Sequence, residues 1–366
     1  MKIAYVTSAR LPTDWAHGIQ IMNTCAALAK AGVAVDLYYP ALPPFINESP
    51  FSYHRVPETF TLHKLFALDM GKMRFAFILQ ALTFALSARF ALTTPTPVYC
   101  RDEIVAAALL FLGVKNLVYE SHNGAWGVWG AYAARHARAV VTVSEGLKTF
   151  YIEHGISSEK IHVIRNGIEL ADYVQPESKE VARTRLGLPL DTSVALYVGM
   201  FDGWKGMDTL LSAATLLSDN VILAVIGGED KEHIAEFAQQ YPHVRFLGYR
   251  PARELADNLA AADVLVVPNT GKDPISVRFT SPLKLFAYMA SGKPIVASDL
   301  PSIREILSEK NGFLVTPDSP TALAAGIHTA LTEREEANNR AAAAKSAVTR
   351  YTWDARAAAI QNLFTR

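Results

Sequence analysis

The segment TSPLKLFAYMASGKPIVASD, residues 280–299, decides the fold. Thr280 or Ser281 is suited to cap a helix, and Pro282 suits the first helical turn. Apolar residues then recur on one helical face, and Gly292 ends the helix before the short apolar run PIVAS. A helix that leads into a buried strand is the repeating unit of a parallel α/β sheet.

Further strands and helices repeat on both sides of this segment. In the first half, a predicted helix from His17 to Ala31 follows the first of five β-rich runs, which read KIAYVTS, VAVDLYYP, PVYCRD, NLVYES and AVVTVS. After the polar stretch 175–184, six more runs follow: VALYVGM, NVILAVIGG, HVRFLGY, DVLVVPN, PIVASD and GFLVTP. We therefore predict an α/β protein with two doubly wound, Rossmann-like sheets whose strand ends face each other across a cleft.

The length of 366 residues suggests two domains, because it exceeds what one hydrophobic core usually organises. Turn residues and charges replace the strand pattern between Arg165 and Gly187. We place the N-terminal domain at residues 1–172 and the C-terminal domain at 173–348. Residues 349–366 carry a last helix, Trp353 to Phe364, which on pattern alone could pack on either domain.

Charge and cysteine content argue against several classes of protein. Lys and Arg total 35, as do Asp and Glu, so no bulk charge points to a nucleic-acid partner. Cys25 and Cys100 lack metal-ligand spacing and indicate a reducing compartment rather than a disulfide framework. The N-terminal run MKIAYVTSA lacks the apolar core and cleavage site of a secretory signal. We therefore expect a cytoplasmic protein with no nucleic-acid partner and no metal.

The longest apolar stretch, Phe75 to Ala88, is too short to cross a bilayer, since a spanning helix needs about 20 residues. It also contains the polar Gln80. Basic residues flank the stretch: Lys64, Lys72, Arg74 and Arg89. Two interpretations remain. We favour a helix buried in the first domain; the other is a helix lying on an anionic bilayer, which would make the protein peripheral at the inner face of the membrane.

Two motifs in the second half are suited to bind phosphate. The helix start from Ser281 to Lys284 offers free backbone N–H groups to a diphosphate, and Lys284 adds a positive charge. In YVGMFDGWKG, residues 197–206, Gly199 lets a ligand approach the backbone and Lys205 can neutralise charge on a leaving group. Spacing alone leaves open an ordinary capped helix and a solvated lysine.

Two motifs in the first half follow strand ends. HGIQ, residues 17–20, opens a helix where phosphate-binding turns lie, but it lacks the full GxGxxG pattern of a nicotinamide site. His122, after the strand NLVYES, is placed to hydrogen-bond a sugar hydroxyl or to interact with a carboxylate. A lone histidine is also common as a structural residue, and that alternative stays open.

In their order and spacing, these motifs resemble the family 4 retaining glycosyltransferases of GT-B fold. The resemblance covers nearly the whole chain and is carried by HGIQ, VTVSEGLKTFY, IHVIRNGIEL, YVGMFDGWKG, ADVLVVPN and SPLKLFAYMASGKPIVASDLPSIREI. It implies metal-independent transfer of a sugar from a nucleoside diphosphate sugar, of UDP or GDP type, with retained anomeric configuration and no cofactor. It also implies that the last helix crosses back onto the first, acceptor-side domain.

The resemblance assigns roles to residues that match the family's motifs. Gly18 corresponds to the glycine near the first strand, His122 to the histidine that contacts the transferred sugar, and Lys205 to the phosphate lysine. The base would lie near Gly248 and Tyr249. The pyrophosphate would lie over the helix start, whose residues are Ser281, Pro282, Leu283 and Lys284.

Three positions depart from the family's pattern. Met200 stands where many members carry arginine, so one phosphate charge is either missing or supplied by Arg278 or Lys284. The Glu-x7-Glu pair of the family falls on Phe279 and Ala287. The second glutamate normally binds the ribose hydroxyls, which alanine cannot do, so we expect donor binding to lose about 1.5–3 kcal/mol.

The leading hypothesis is therefore a hexosyltransferase that moves a sugar to a glycan or lipid-linked acceptor in polysaccharide or glycolipid biosynthesis, weakened or disabled by Ala287. The alternative is a non-catalytic member of the same fold that binds a glycan, a lipid or another subunit. An epimerase or phosphorylase of related architecture is a distant third, since no lysine is placed for a pyridoxal cofactor.

Overall fold

The chain forms two compact units, described here from a computed structural model. The structure describes residues 1–69, 71, 76–93, 95–201, 203–228 and 231–365. One unit combines Met1–Gly167 with the segment from Trp353 onward, and the other is Ile168–Thr352.

The first unit is built on a seven-stranded sheet in the order β3-β2-β1-β4-β5-β6-β7. Its strands are β1 (Lys2–Val6), β2 (Ala34–Pro40), β3 (Thr61–Leu65), β4 (Val98–Cys100), β5 (Leu117–Ser121), β6 (Ala139–Thr142) and β7 (Ile161–Val163). Its helices are α1 (Ala16–Lys30), α2 (Pro50–His54), α3 (Ala76–Ala91), α4 (Glu103–Phe111), α5 (Val128–His136), α6 (Glu145–Glu153) and α15 (Trp353–Thr365). The strand order reverses direction between β1 and β4, as in doubly wound folds.

The second unit repeats this plan with six strands in the order β10-β9-β8-β11-β12-β13. Its strands are β8 (Ser193–Val198), β9 (Val221–Ile226), β10 (Val244–Gly248), β11 (Val264–Val267), β12 (Ile295–Ser298) and β13 (Phe313–Val315). Its helices are α7 (Lys179–Leu186), α8 (Met207–Ala214), α9 (Lys231–Gln240), α10 (Leu255–Ala260), α11 (Leu283–Ser291), α12 (Pro301–Arg304), α13 (Pro320–Thr332) and α14 (Arg334–Val348). All strand pairs in both sheets are parallel, so the predicted fold class is confirmed.

Both faces of the second sheet are buried. Along β8, Val194 and Leu196 pack into one apolar core, while Ala195 and Tyr197 pack into the core on the opposite face. Successive side chains of a strand point to opposite faces, so a strand covered on both sides is apolar throughout. This continuous apolar character is what made the strands recognisable in the sequence.

The five predicted runs missed two strands, β7 and β3, which form the two edges of the first sheet. Strand β7 has only three residues. Strand β3 is longer but has a mixed sequence. Its sequence TLHKL mixes polar and apolar residues, and no residue in it is fully buried. It forms one edge of the first sheet, where it pairs with β2. An edge strand needs less apolar surface than a central one, so its sequence carries a weaker signal.

The units divide a few residues from the boundaries predicted at 172/173 and 348/349. The Ile168 N–H donates to the Tyr351 carbonyl over 2.9 Å, and Ile168 also pairs with Thr352 in a parallel bridge. Tyr173 is buried in a core of the second unit. These contacts draw residues 168–172 and 349–352 into the second unit. Helix α15 packs against α1 in the first unit.

Helix α3 corresponds to the apolar stretch Phe75 to Ala88, and only one of its faces is buried. Phe84 and Ala85 are fully buried, whereas Phe77 is 64% and Phe90 82% exposed. The expectation of a buried helix therefore holds for one face alone, because the helix lies at the surface of the unit. Lys72, Arg74 and Phe75 lie outside the described residues. Among the helices that are described, none is both long and apolar enough to cross a membrane.

Replacement of Phe84 by alanine should therefore lower the free energy of unfolding by about 3–5 kcal/mol, the usual cost of a large cavity. Phe77→Ala, on the exposed face of the same helix, should change it by no more than about 0.5 kcal/mol. Urea unfolding monitored by circular dichroism measures both values. Equal effects of the two substitutions would show that α3 is not packed by its Phe84 face.

Candidate functional site

A cavity of about 470 Å³ lies in the first unit, next to the ends of β1, β4 and β5. Residues from the loops after these strands line it, including Ser8, Arg101, Asp102 and His122. Ligands of doubly wound sheets bind at this edge, outside the carboxyl ends of the strands. The sequence analysis singled out His122 but did not find the other three residues.

The loops around this cavity are fixed by polar contacts. Asp102 accepts hydrogen bonds from the Ser8 backbone N–H over 2.9 Å and from its hydroxyl over 2.7 Å. The buried Nε of Arg101 has no hydrogen-bond partner among the described residues. Burial, followed by the Arg101 charge, lowers the pKa of His17 to about 4. The cavity therefore combines a fixed carboxylate with a guanidinium that retains donor capacity.

His122 lies on this cavity and is hydrogen-bonded behind it. Its Nε2 is 2.7 Å from Oε1 of Glu120, and its side chain is 24% exposed. A carboxylate can only accept a hydrogen bond, so the ring proton is on Nε2 and Nδ1 is left as an acceptor. Burial, and then the charge of Arg101, lower the pKa of His122 below its usual value. The ring is therefore neutral at pH 7.

The carboxylate of Glu120 is completely buried and accepts several hydrogen bonds. Its Oε1 accepts from Gln20 over 2.5 Å and from Arg356 over 2.6 Å, and its Oε2 accepts from the Tyr99 hydroxyl. Burial raises the pKa of Glu120, but the charge of Arg356 and the hydrogen bond from His122 outweigh burial and hold it well below the usual range. Glu120 is therefore ionised and pairs with a residue of the last helix.

Gly18 lies in the first turn of α1, where a side chain would not fit. A Cβ at this position would lie 2.5 Å from Cγ2 of Thr13 and 3.0 Å from Cε1 of His54. The glycine thus lets the loop after β1 and helix α2 pack against the helix start. Its predicted part in donor binding stays a prediction.

In the second unit, glycines line the carboxyl edge of the sheet. The Gly199 N–H donates to the Ile226 carbonyl, and the Gly227 N–H donates to the Gly248 carbonyl. A Cβ on Gly227 would lie 1.9 Å from the carbonyl oxygen of Gly199. Only glycine fits there, so the backbone itself forms this surface. Gly199 was predicted from the sequence and Gly227 was not, although the doubled glycine after β9 was a visible signal.

Lys284 lies beside Gly199, and both were predicted from the sequence to bind the donor; that role stays a prediction. Its Nζ lies 4.2 Å from the centre of the Tyr197 ring and 3.3 Å from where a Cβ on Gly199 would be. The Tyr197 hydroxyl donates to the Met200 carbonyl over 3.0 Å, which holds the turn after β8. One lysine charge is thus placed next to the half-buried backbone at the strand end.

Helix α11 starts at Leu283, and the predicted cap is wrong. Pro282 occupies the N-cap position and makes no side-chain hydrogen bond to the helix. A π-helical turn, Ile275–Phe279, comes before it and leads into the helix through extended backbone at Thr280. A helix start of this kind favours an anion at its first backbone N–H groups.

The remaining predicted donor residues lie in three other places. Lys205 is in a short 3₁₀ turn, Gly203–Lys205, which packs against the π-helical turn containing Arg278. Tyr249 follows β10 and is 41% exposed. Ala287, in contrast, is 1% exposed and packs in a core of the second unit. At this position the helix presents neither a carboxylate nor an accessible surface.

Gly206 shapes the turn that carries Lys205. Its φ is +72°, and a Cβ there would lie 1.9 Å from the Pro268 carbonyl oxygen. Gly248 has nearly the same conformation, with φ +69°, but no atom lies within 4 Å of an added Cβ. Substitution of Gly248 by alanine therefore costs only the left-handed backbone conformation, whereas substitution of Gly206 adds a steric clash.

Gly248→Ala should lower the free energy of unfolding by about 1–2 kcal/mol, the cost of left-handed backbone for an L-residue. Gly206→Ala should cost clearly more, because the Pro268 carbonyl or the Lys205 turn must also move. Urea unfolding of both variants measures the difference. If the two variants lost equal stability, the packing of the Lys205 turn would not be as described.

Comparison with known proteins identifies the family. Residues 18–172 match the family model described as Glycosyltransferase Family 4, and residues 192–333 match the one described as Glycosyl transferases group 1. The fold is also shared with solved structures over their full length. Sucrose-phosphate synthase from Thermosynechococcus elongatus superposes with a TM-score of 0.81 at 22% identity, covering 100% of this chain and 98% of that one. Anabaena HepE, solved in complex with UDP-glucose, gives 0.78 at 20% identity and covers 100% of both chains.

Curated relatives of similar sequence are glycosyltransferases. D-inositol 3-phosphate glycosyltransferase of Xylanimonas cellulosilytica is 32% identical over 227 residues, which are 58% of this chain and 53% of that protein. The protein of the same name in Corynebacterium glutamicum is 24% identical over 94% of this chain and 90% of its own length. Phosphatidyl-myo-inositol mannosyltransferase of Mycobacterium tuberculosis is 30% identical over 54% of each chain. The chain thus aligns with about half the length of two of these relatives.

The solved structures share the chain's fold of two Rossmann-like domains, the GT-B fold. The chain belongs to glycosyltransferase family 4, as its motifs indicated.

Proposed function

We propose that the chain transfers a hexose, with retained anomeric configuration, from a nucleoside diphosphate sugar to a glycan or lipid-linked acceptor. The reaction uses neither a metal nor a cofactor, and the donor is of the UDP or GDP type. The observation that carries the proposal is the edge of the second sheet, where Gly199, Lys284 and the uncapped start of α11 come together.

This edge is suited to hold a diphosphate. Helix N–H groups without a side-chain cap and a neighbouring ammonium both attract negative charge. Lys205 and Arg278, on two turns that pack together, add cations that stabilise charge as the sugar–phosphate bond breaks. Anabaena HepE, which shares this fold, was solved with UDP-glucose, and this supports a donor of that class.

The cavity of the first unit is the proposed acceptor side. Its volume of about 470 Å³ is large enough for a sugar, and it offers both a carboxylate and donors. Neutral His122 presents one acceptor nitrogen, which suits a sugar hydroxyl. The names of the relatives, an inositol phosphate glycosyltransferase and a phosphatidylinositol mannosyltransferase, support a polar acceptor of glycan or lipid-linked type.

A thermal-shift panel with UDP, GDP and their sugars tests donor binding. The matching nucleotide at 100 times its Kd should stabilise the protein by about 2.7 kcal/mol. Lys284→Met should reduce this shift because one phosphate contact is lost, while Lys272→Met, an exposed lysine of the same unit, should leave it unchanged. The proposal fails if no nucleotide protects either the wild-type chain or its Ala287→Glu form.

A second function has one specific observation in its favour. Ala287 is buried and cannot bind a ribose hydroxyl, so the chain could bind sugar nucleotides or partners without catalysing transfer. Transfer assays on the wild-type chain and on Ala287→Glu separate the two functions. Turnover in either form favours the enzyme, whereas nucleotide binding without transfer to any acceptor favours the binding protein.

The exposed face of α3 supports contact with the inner face of a membrane. Phe77, Leu86 and Phe90 are exposed on this helix. Leu68, which precedes α3, is also exposed. Its N–H donates to the hydroxyl of Thr83 on α3, so Leu68 lies beside this helix. Large exposed apolar side chains next to basic residues favour a bilayer interface, where a lipid-linked acceptor would lie.

Flotation with liposomes that contain anionic lipid tests this contact. Wild-type protein should float with the vesicles, and Phe77→Ser/Phe90→Ser should stay in the soluble fraction because the apolar side chains are lost. Val174→Ser removes an exposed apolar residue of the second unit and serves as the control. Equal behaviour of wild type and the double variant would remove the proposed membrane contact.

A further inference from the structure

Arg356, on α15, is buried in the first unit with all its nitrogens engaged. Its Nε donates to the Thr24 hydroxyl over 3.1 Å, and its Nη1 donates to the carbonyls of Ile164 and Arg165 over 2.9 and 3.0 Å. Its Nη2 donates to Oε1 of Glu120 over 2.6 Å. With hydrogen bonds in three directions, the guanidinium plane cannot rotate.

The same oxygen of Glu120 that accepts from Arg356 also accepts from His122. Gln20 also donates to this oxygen, and the Tyr99 hydroxyl donates to the other one. These hydrogen bonds fix the orientation of the carboxylate toward both Arg356 and His122. A fixed carboxylate holds the proton of His122 on Nε2 and fixes the plane of the ring. The contacts therefore run from the last helix through Glu120 to the residue that lines the cavity.

We infer that Arg356 is a positioning residue that acts through Glu120 to fix the tautomer and orientation of His122. The inference rests on the proposed function in one respect, since it matters for catalysis only if His122 contacts the transferred sugar. It also gives the last helix a part in the site beyond its packing on α1.

If Arg356 only attached α15 to the first unit, it would not need an ion pair with Glu120. Taking two charges out of water costs free energy that their attraction rarely exceeds, and apolar residues of similar volume often serve as well. The hydrogen bonds from Arg356 to Thr24, Ile164 and Arg165 already attach α15 to the unit. The additional ion pair with Glu120 is explained by its effect on the next residue, His122.

Several charged or titratable groups surround His122. Burial lowers the pKa of His122, as do the charges of Arg101 and Arg356, whereas Glu120 raises it. Burial and the Arg101 charge disfavour the protonated form of His17, which lines the same cavity. Arg10, Asp102 and Glu103 line it as well. Loss of Arg356 removes one repelling cation and leaves the Glu120 charge to attract a proton. The pKa of His122 should therefore rise in Arg356→Met.

The test is NMR of ¹⁵N-histidine-labelled protein, with the His122 signals assigned by their absence in His122→Asn. In the wild-type chain, the ring should be neutral at pH 7 with its proton on Nε2. In Arg356→Met, the titration midpoint of His122 should rise by about 1 pH unit or more, as expected for a newly unbalanced carboxylate. Arg356→Lys keeps the charge and should restore a midpoint close to that of the wild type.

A second variant covers the case in which Arg356→Met does not fold. Glu120→Met/Arg356→Met removes both charges and should fold, and in it His122 should show a mixture of both neutral tautomers because the carboxylate is gone. A His122 tautomer and midpoint equal to those of the wild type, in whichever of the two variants folds, would overturn the inference.

Assays of sugar transfer test the role of Arg356 separately from the proposed function. With an active donor and acceptor pair, Arg356→Met should lower kcat on the order of 10- to 100-fold, as for other groups that orient a functional side chain. The acid limb of its pH profile should move to higher pH with the His122 midpoint. Absence of transfer in both the wild-type chain and Ala287→Glu would contradict the proposed function, while the NMR result would still decide the role of Arg356.

Discussion

The buried carboxylate of Glu120 connects parts of the first unit that are far apart in the sequence. It accepts hydrogen bonds from α1 through Gln20, from β4 through Tyr99 and from α15 through Arg356. A buried charge is tolerated only when it is paired and hydrogen-bonded, so these elements must pack together or the unit is destabilised. Because His122 bonds to the same carboxylate, this condition for stability also positions a residue at the cavity.

In the second unit, the proposed ligand surface is formed by the backbone rather than by buried charge. Gly199 and Gly227 approach so closely that no side chain fits between them, and the start of α11 carries no side-chain cap. Such main-chain groups are rigid and present donors without any side-chain entropy to lose. Lys284 adds one charge to this surface. The two units thus prepare their proposed ligand sites by different physical means.

The sequence predicted the architecture well for a physical reason. Strands buried on both faces are continuous apolar runs, which is why both sheets were recognisable, whereas the edge strand β3 has a mixed pattern and was not. Gly199 and Lys284 were found because each lies in a short motif at a strand end or helix start. Arg356 was not found, since its partner Glu120 lies 236 residues away and an arginine on a helix usually faces solvent. The capping error at Ser281 arose because propensities do not anticipate a π-helical turn.

The order of synthesis determines when the Arg356–Glu120 ion pair can form. Synthesis proceeds from the N-terminus, so Glu120 leaves the ribosome long before Arg356, and all of Ile168–Thr352 is made in between. Until α15 emerges, the nascent first unit holds a carboxylate whose guanidinium partner does not yet exist. The second unit is contiguous, and it can complete its own core first. The first unit can therefore complete this ion pair only after the second unit and α15 have been made.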